Sequence, residues 1–256
     1  MNNFKNETDF RIEEISKNID LQNSGQKFME LSISAKYSYN FSWMGRPIIQ
    51  YPQDIVAVQE LIWKIKPDLI IETGIAHGGS LILSASMLAL LDVCDAAKKK
   101  GTLTPGNSAR KVVGIDIDIR PHNKEAIEDH PLAAYIEMLE GSSIDPEMVK
   151  KVCSIAENHQ KILVFLDSNH THEHVLAELK AYAPLVSTDS YCVVFDTIVE
   201  DLPKGGFSDR PWGPGDNPKT AVWEYIKSNP NFEIDTTLEN KLLLTVAPDG
   251  YLKRRD

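Results

Sequence analysis

The sequence predicts an α/β fold: a doubly wound, mostly parallel seven-stranded sheet that ends in an antiparallel hairpin. Three observations predict it. From residue 68 to residue 196, short apolar runs alternate with helical stretches, the pattern of right-handed βαβ units with helices on both faces of a sheet. The last two runs, 232–237 and 241–247, are separated only by Leu238–Asn240. A parallel crossover needs a dozen or more residues, so these two runs must lie antiparallel. With 256 residues, 42% hydrophobic and 25% charged, the chain has the size and composition of one α/β domain that buries its own core.

Taken in order, residues 1–36 are polar with scattered apolar positions and read as one or two helices. Residues 37–52 are aromatic and turn-rich and read as an ordered loop. Helical apolar spacing returns at about 53–66. Asp68–Thr73 is a strand stopped by Gly74, and a long helix follows over 79–99. Residues 100–110 form a loop before a second strand, Lys111–Asp116. Ala134–Leu139 is a third strand, followed by a helix near 145–159. Lys161–Asp167 is a fourth, followed by a helix near 171–182. Tyr191–Asp196 is the fifth, and a helix over 218–228 leads into the terminal pair. The division expected is an N-terminal extension, 1–52, contributing to a substrate site, and a main domain, 53–256.

Charge and cysteine usage narrow the function. Lys plus Arg is 27 against 37 Asp plus Glu, a formal charge of −10, which argues against nucleic acid or an anionic membrane as partner. Cys94, Cys153 and Cys192 are odd in number and far apart, so no disulfide framework or zinc-ribbon spacing is present. The N-terminus lacks an apolar signal core, and the run Leu81–Leu91 is interrupted by serines and too short to span a bilayer. The expectation is a soluble, reduced, cytoplasmic enzyme with a small-molecule or saccharide substrate; a homo-oligomer stays open.

Four constellations carry chemistry. Glu72-Thr-Gly74-Ile-Ala-His77-Gly78-Gly79-Ser80 lies where the first strand meets its helix, and ligands of open α/β sheets bind beyond the carboxyl ends of strands. Neither the dinucleotide fingerprint nor the phosphate-loop pattern is present: Ala76 stands where the second glycine would, and no Lys precedes Ser80. An acid before the glycines suits a cationic amino group better than a pyrophosphate. Asp116 and Asp118 end the second strand, where a carboxylate commonly accepts bonds from ribose hydroxyls. The small residues of Glu140-Gly141-Ser142-Ser143 could flank a flat adenine, or Ser143 could cap the next helix. Asp167-Ser-Asn-His170 and Asp196 end the fourth and fifth strands. Two carboxylates on adjacent strands suit Mg²⁺, with His170 beside them. His172 and His174 invite a zinc reading but lack the HExxH pattern and a nearby Cys, and read as solvated helix residues. Asp201–Pro218, rich in Gly and Pro and carrying Phe207 and Trp212, reads as a lid, mobile over Lys204–Asp216 without substrate. With Trp43, Arg46 and Tyr51 it would wall a polar, sugar-like substrate.

With these motifs in place, residues 40–253 resemble the cephalosporin hydroxylase/rhamnosyl O-methyltransferase family. The resemblance rests on Trp43-Met-Gly45-Arg46-Pro47, Tyr51-Pro52-x-Asp54, Glu72-x-Gly74-x-x-x-Gly78-Gly79-Ser80, Asp167-Ser168-x-His170, Val194-Phe195-Asp196-Thr197 and Ala247-Pro248-x-Gly250-x-Leu252. It implies a class I, Rossmann-like methyltransferase fold and transfer of a methyl group from S-adenosylmethionine to a sugar or natural-product hydroxyl. Glu72, Gly74, Gly78 and Ser80 would hold the methionine end of the cofactor, with Asp167 nearby. Asp116 would hold the ribose, and Ser142 and Ser143 would line the adenine. Asp167 and Asp196 would ligate Mg²⁺, and His170 would be the general base. One departure stands out: the family pattern carries an acid just before the second strand-end Asp, and here that residue is Phe195. The alternatives are a hydroxylase-accessory or non-catalytic protein on the same fold, a nicotinamide oxidoreductase, and a zinc hydrolase.

Overall fold

The structure is a computed structural model that describes residues 2–104, 106–203 and 210–256. In chain order the helices and strands are α1 (Asn2–Lys17), α2 (Ile19–Ser34), β1 (Phe41–Trp43), β2 (Arg46–Ile48), α3 (Pro52–Ile65), β3 (Leu69–Thr73), α4 (Gly79–Lys99) and β4 (Lys111–Asp116). There follow α5 (Pro121–Glu128), β5 (Ile136–Glu140), α6 (Pro146–Ala156), β6 (Ile162–Leu166), α7 (His172–Tyr182), β7 (Tyr191–Val194), α8 (Pro218–Ser228), β8 (Phe232–Ile234), α9 (Thr236–Leu242) and β9 (Tyr251–Arg254). The seven-stranded sheet has the order β5-β4-β3-β6-β7-β9-β8, parallel except for β9, which runs antiparallel to both neighbours.

Alternation along each central strand builds two cores. Ile70, Val112, Leu163 and Val193 face a layer with α3 and α4, while Ile71, Val113, Val164 and Cys192 face the layer with α6, α7 and α8. Burial on both faces explains why these strands read as unbroken apolar runs. It also brings strand ends into line. Thr73 pairs with Ile115 on one side and Leu166 on the other, and Leu166 pairs with Val194. Gly74, Asp116, Asp167 and Asp196 therefore emerge on one edge.

Three segments differ from expectation. Residues 37–52 are not simply a loop: β1 and β2 form a hairpin closed by Met44 and Gly45, both at positive φ. Paired positive φ is the geometry of a tight type I′ turn, and strands of three residues are too short to show alternation. The hairpin docks on α4, with Trp43 Nε1 donating to Ser86 Oγ at 3.0 Å. A Cβ on Gly79 would overlap the Pro47 carbonyl oxygen, so only glycine admits this contact. Helix α5 had no sequence assignment. At the C-terminus the antiparallel pair exists, but its second strand is β9, not 241–247. Asp235 caps α9 by accepting from Leu238 N at 3.1 Å, and a helix occupies the expected turn.

Residues 245–247 are buried by a clamp instead of by the sheet. Asp54, fully buried on α3, accepts from Thr245 Oγ1 (2.5 Å), Val246 N (3.0 Å) and Tyr251 Oη (2.7 Å). Short apolar runs cannot reveal which of these environments they occupy. Helix α4 also corrects an expectation: over Gly79–Lys99 it is long and apolar enough, by length and composition, to cross a membrane. In this fold its apolar face packs into the first core, with Leu81, Leu88 and Leu91 buried.

Candidate active site

The turn after β3 is wound through left-handed conformations. Gly74 has φ +90°, and a Cβ there would overlap the Asp167 carbonyl oxygen. The turn is braced from two sides. Asp116 accepts from Ile75 N at 2.8 Å and Ala76 N at 3.1 Å, and its other oxygen accepts from Asp118 N at 3.1 Å. Arg46 donates through Nε and Nη2 to the His77 carbonyl at 2.9 and 2.7 Å, and Asn123 ties Arg46 to the Ala76 carbonyl. Under the turn lies Glu72, 2% exposed; one oxygen accepts from Ser80 Oγ and the other has no partner. Burial pushes its carboxyl up to about 7, against the pull of the Ser80 hydroxyl.

At the ends of β6 and β7, one donor atom each of Asp167, His170 and Asp196 lies within 4.8 Å of the others. Asp196 reaches in from a left-handed residue, φ +55°. His170 Nε2 stands 3.0 Å from Asp196 Oδ2. Burial and the Asp196 charge hold the Asp167 carboxyl well above the usual range. Burial works against charge on His170, but the Asp196 carboxylate outweighs it and, with Asp167, pushes the imidazole up to about 9. Free of a cation, the ring therefore carries a proton at neutral pH. The Trp212 and His170 rings meet in a T-shaped contact, centroids 4.8 Å apart. Two carboxylates brought together at a half-buried sheet edge are the kind of donor set a hard divalent cation takes, so the residues present fit one.

Two pockets meet at Asp167. One is lined by Gln50, Gly74–His77, Gly79 and Ser80; the other, beneath it, by Gln50, Asp54, Glu72, Phe165 and Phe195. Phe195 is 5% exposed, packs on Phe165 and offers no donor.

The remaining expected site residues are distributed as follows. Ser143 does not cap α6, because Asp145 does, accepting from Glu147 N at 2.9 Å and Met148 N at 3.3 Å. The Ser143 hydroxyl donates to buried Glu178 at 2.5 Å, as does Ser168 at 2.6 Å; Ser142 is half-buried beside it. Tyr51 is in the core, 1% exposed and bonded to Ser32 Oγ at 2.7 Å, so it presents no wall to a substrate. Arg46 is spent on the glycine turn. His172 and His174 are not simply solvated: they contact Thr220 and Ser143 respectively. Neither joins the three-donor cluster found among the described residues, which removes the basis for a zinc hydrolase. The lid expectation falls partly on residues 204–209, outside the described residues. Gln50, Asn123 and Glu178 were missed; each is one polar residue in an ordinary context, and its partners lie far away in sequence.

The rhamnosyl O-methyltransferase/CmcI family profile matches residues 35–255. A rhamnosyl O-methyltransferase of Mycobacterium tuberculosis is 30% identical over 216 residues, covering 83% of this chain and 78% of that one. A CmcI structure described with Mg and S-adenosylmethionine superposes with a TM-score of 0.55 at 16% identity, over 85% of this chain and 78% of that one. The apo structure of a TDP-rhamnose 3'-O-methyltransferase of calicheamicin biosynthesis gives 0.51 at 17% identity, over 97% and 93%. At such identities the structures establish the shared fold, and the sequence matches establish the relationship. The chain belongs to the rhamnosyl O-methyltransferase/CmcI family.

Proposed function

We propose that this protein is an S-adenosylmethionine-dependent O-methyltransferase that uses a divalent cation, Mg²⁺ by the nature of its donors, and acts on a hydroxyl of a sugar or glycosylated acceptor. The observation that carries the reading is the Asp167–His170–Asp196 cluster beside the glycine-turn pocket in a chain of this family. When bound, the cation supplies a Lewis acid for the acceptor hydroxyl and the cofactor an electrophilic methyl group. Asp167 and Asp196 hold the cation. The unpartnered oxygen of Glu72 is an acceptor for the cofactor's amino group, and such pairing lowers a carboxyl pKa. His170 keeps its proton because of the charge on Asp196 and Asp167. With a cation between the acids that charge would be offset, the ring would release its proton to solvent, and the neutral imidazole would be placed to take the hydroxyl proton. Gly74, Gly78 and Ser80 shape the methionine end of the cofactor site, Asp116 the ribose end, and Ser142 and Ser143 the adenine end. Trp43 and Trp212 flank the acceptor side, and residues 1–52 serve as an extension to it.

Free cysteines and net negative charge support a reduced, cytoplasmic setting without nucleic-acid partners. Calorimetric titration with S-adenosylhomocysteine, with and without Mg²⁺, tests the proposal; absence of saturable binding overturns it. Phe195 supports one other reading, a cofactor-binding protein without turnover, which the same titration followed by an assay separates.

Asp116→Ala weakens S-adenosylhomocysteine binding by about 1–3 kcal/mol, the worth of a charge-assisted hydrogen bond. Asp116→Asn loses less, because an amide oxygen still braces Ile75 and Ala76. Unchanged affinity in both variants removes Asp116 from the ribose role.

A further inference from the structure

We infer that Gln50 supplies a third oxygen donor to the cation held by Asp167 and Asp196. The inference rests on the cation site proposed above and names a residue outside it.

Gln50 follows β2 and is 8% exposed. Its Nε2 donates to Asp167 Oδ2 at 3.2 Å, while its Oε1 is buried without any hydrogen-bond partner. A buried amide oxygen stripped of water and left unpaired costs free energy and calls for a partner. It lies on the same amide that touches Asp167, and Gln50 lines both pockets that meet there.

The chemistry fits. Amide carbonyl oxygens are ordinary ligands of hard cations, which require more oxygens than two carboxylates provide. Oxygen and nitrogen exchange places by a half-turn of the amide. With an uncompensated Asp167 the N–H faces the carboxylate; toward a cation the oxygen does. A neutral third donor leaves two negative charges in the site, so cation affinity is modest. It also leaves His170 outside the donor set, available for proton transfer.

The test is cation binding alone, without cofactor or acceptor: Mn²⁺ titration by electron paramagnetic resonance and Mg²⁺ titration by calorimetry. Gln50→Leu is expected to bind both ions about 10–100-fold more weakly, the range for residues supporting a metal's ligands, with an unchanged circular dichroism spectrum. Gln50→Glu is expected to bind more tightly than wild type. Free of metal it melts at a lower temperature, because a third carboxylate faces Asp167, and added Mn²⁺ reverses that loss. His170→Ala is expected to bind at least as tightly as wild type. Wild-type affinity in Gln50→Leu, or weaker binding in Gln50→Glu, overturns the inference. Loss of binding in His170→Ala gives the third place to the imidazole and overturns it too. A free-Mn²⁺ signal undiminished by the wild type overturns the cation site itself, an outcome distinct from failure of the Gln50 variants alone.

Discussion

Asp167→Ala and Asp196→Ala are expected to abolish metal-dependent methyl transfer while leaving the fold intact, and His170→Ala to lower turnover by about 10²–10⁴, the worth of a positioned general base. Both carboxylates stand at strand ends beyond the last paired residues, Leu166 and Val194, so truncating them removes no sheet contact. In the cation-free protein Asp167 and Asp196 repel one another, and His170 partly offsets that repulsion. Removing Asp167 therefore relaxes the apo protein, and a higher melting temperature accompanies the loss of activity in Asp167→Ala; Asp196→Ala gains less, because that residue stands at left-handed φ and pairs with His170. His170→Ala separates from the acid variants by retaining cofactor and cation binding. The assay is methyl transfer to a sugar acceptor with and without chelator. Full activity in excess chelator removes the metal from the mechanism, and full activity of His170→Ala removes the base.

Loss of the Asp54 clamp has an effect of similar size on stability. Asp54→Ala leaves the Thr245 hydroxyl, the Val246 N–H and the Tyr251 hydroxyl, all buried, without their carboxylate acceptor. The expected destabilisation is about 3–5 kcal/mol, from several buried donors costing about 1–3 kcal/mol each when unpaired. Asp54→Asn adds a pH signature. Burial pushes the Asp54 carboxyl up to about 6, although Thr245, Val246 and Tyr251 pull it down. A folded pKa above the unfolded value of about 3.9 means the native state binds the proton more tightly. That contribution is fully present below about pH 4 and is lost as pH rises through about 6. Wild type therefore loses stability relative to Asp54→Asn between about pH 4.5 and about pH 7.5, read by urea unfolding at both. A difference independent of pH shows that Asp54 does not titrate in that window. Glu72, pushed up to about 7 by burial, acts with the same sign in both proteins and cancels.

The clamp also explains why Tyr51-Pro52-x-Asp54 and Ala247-Pro248-x-Gly250 occur together. Asp54 of the first motif is held by Thr245, Val246 and Tyr251, which flank the second, and Asp54 and Thr245 lie 191 residues apart. Neither motif shows by itself what it does.

What the sequence determined by itself was local or periodic. The central strands were legible because a parallel sheet buries both faces and leaves unbroken apolar runs. The glycine turn was legible because positive φ selects glycine, and the strand-end acids because ligands gather at that edge. These suffice for the fold class and for the Asp167–His170–Asp196 edge. Tertiary structure alone decided the rest. It turned Arg46 and Tyr51 from expected substrate contacts into a brace and a core residue, placed a helix where the last strand was expected, and set Gln50 against Asp167 across 117 residues. The physical reason is common to all four. A polar side chain's role is set by the partner that replaces its lost water, and here the deciding partners come from distant segments that meet only when the sheet is assembled.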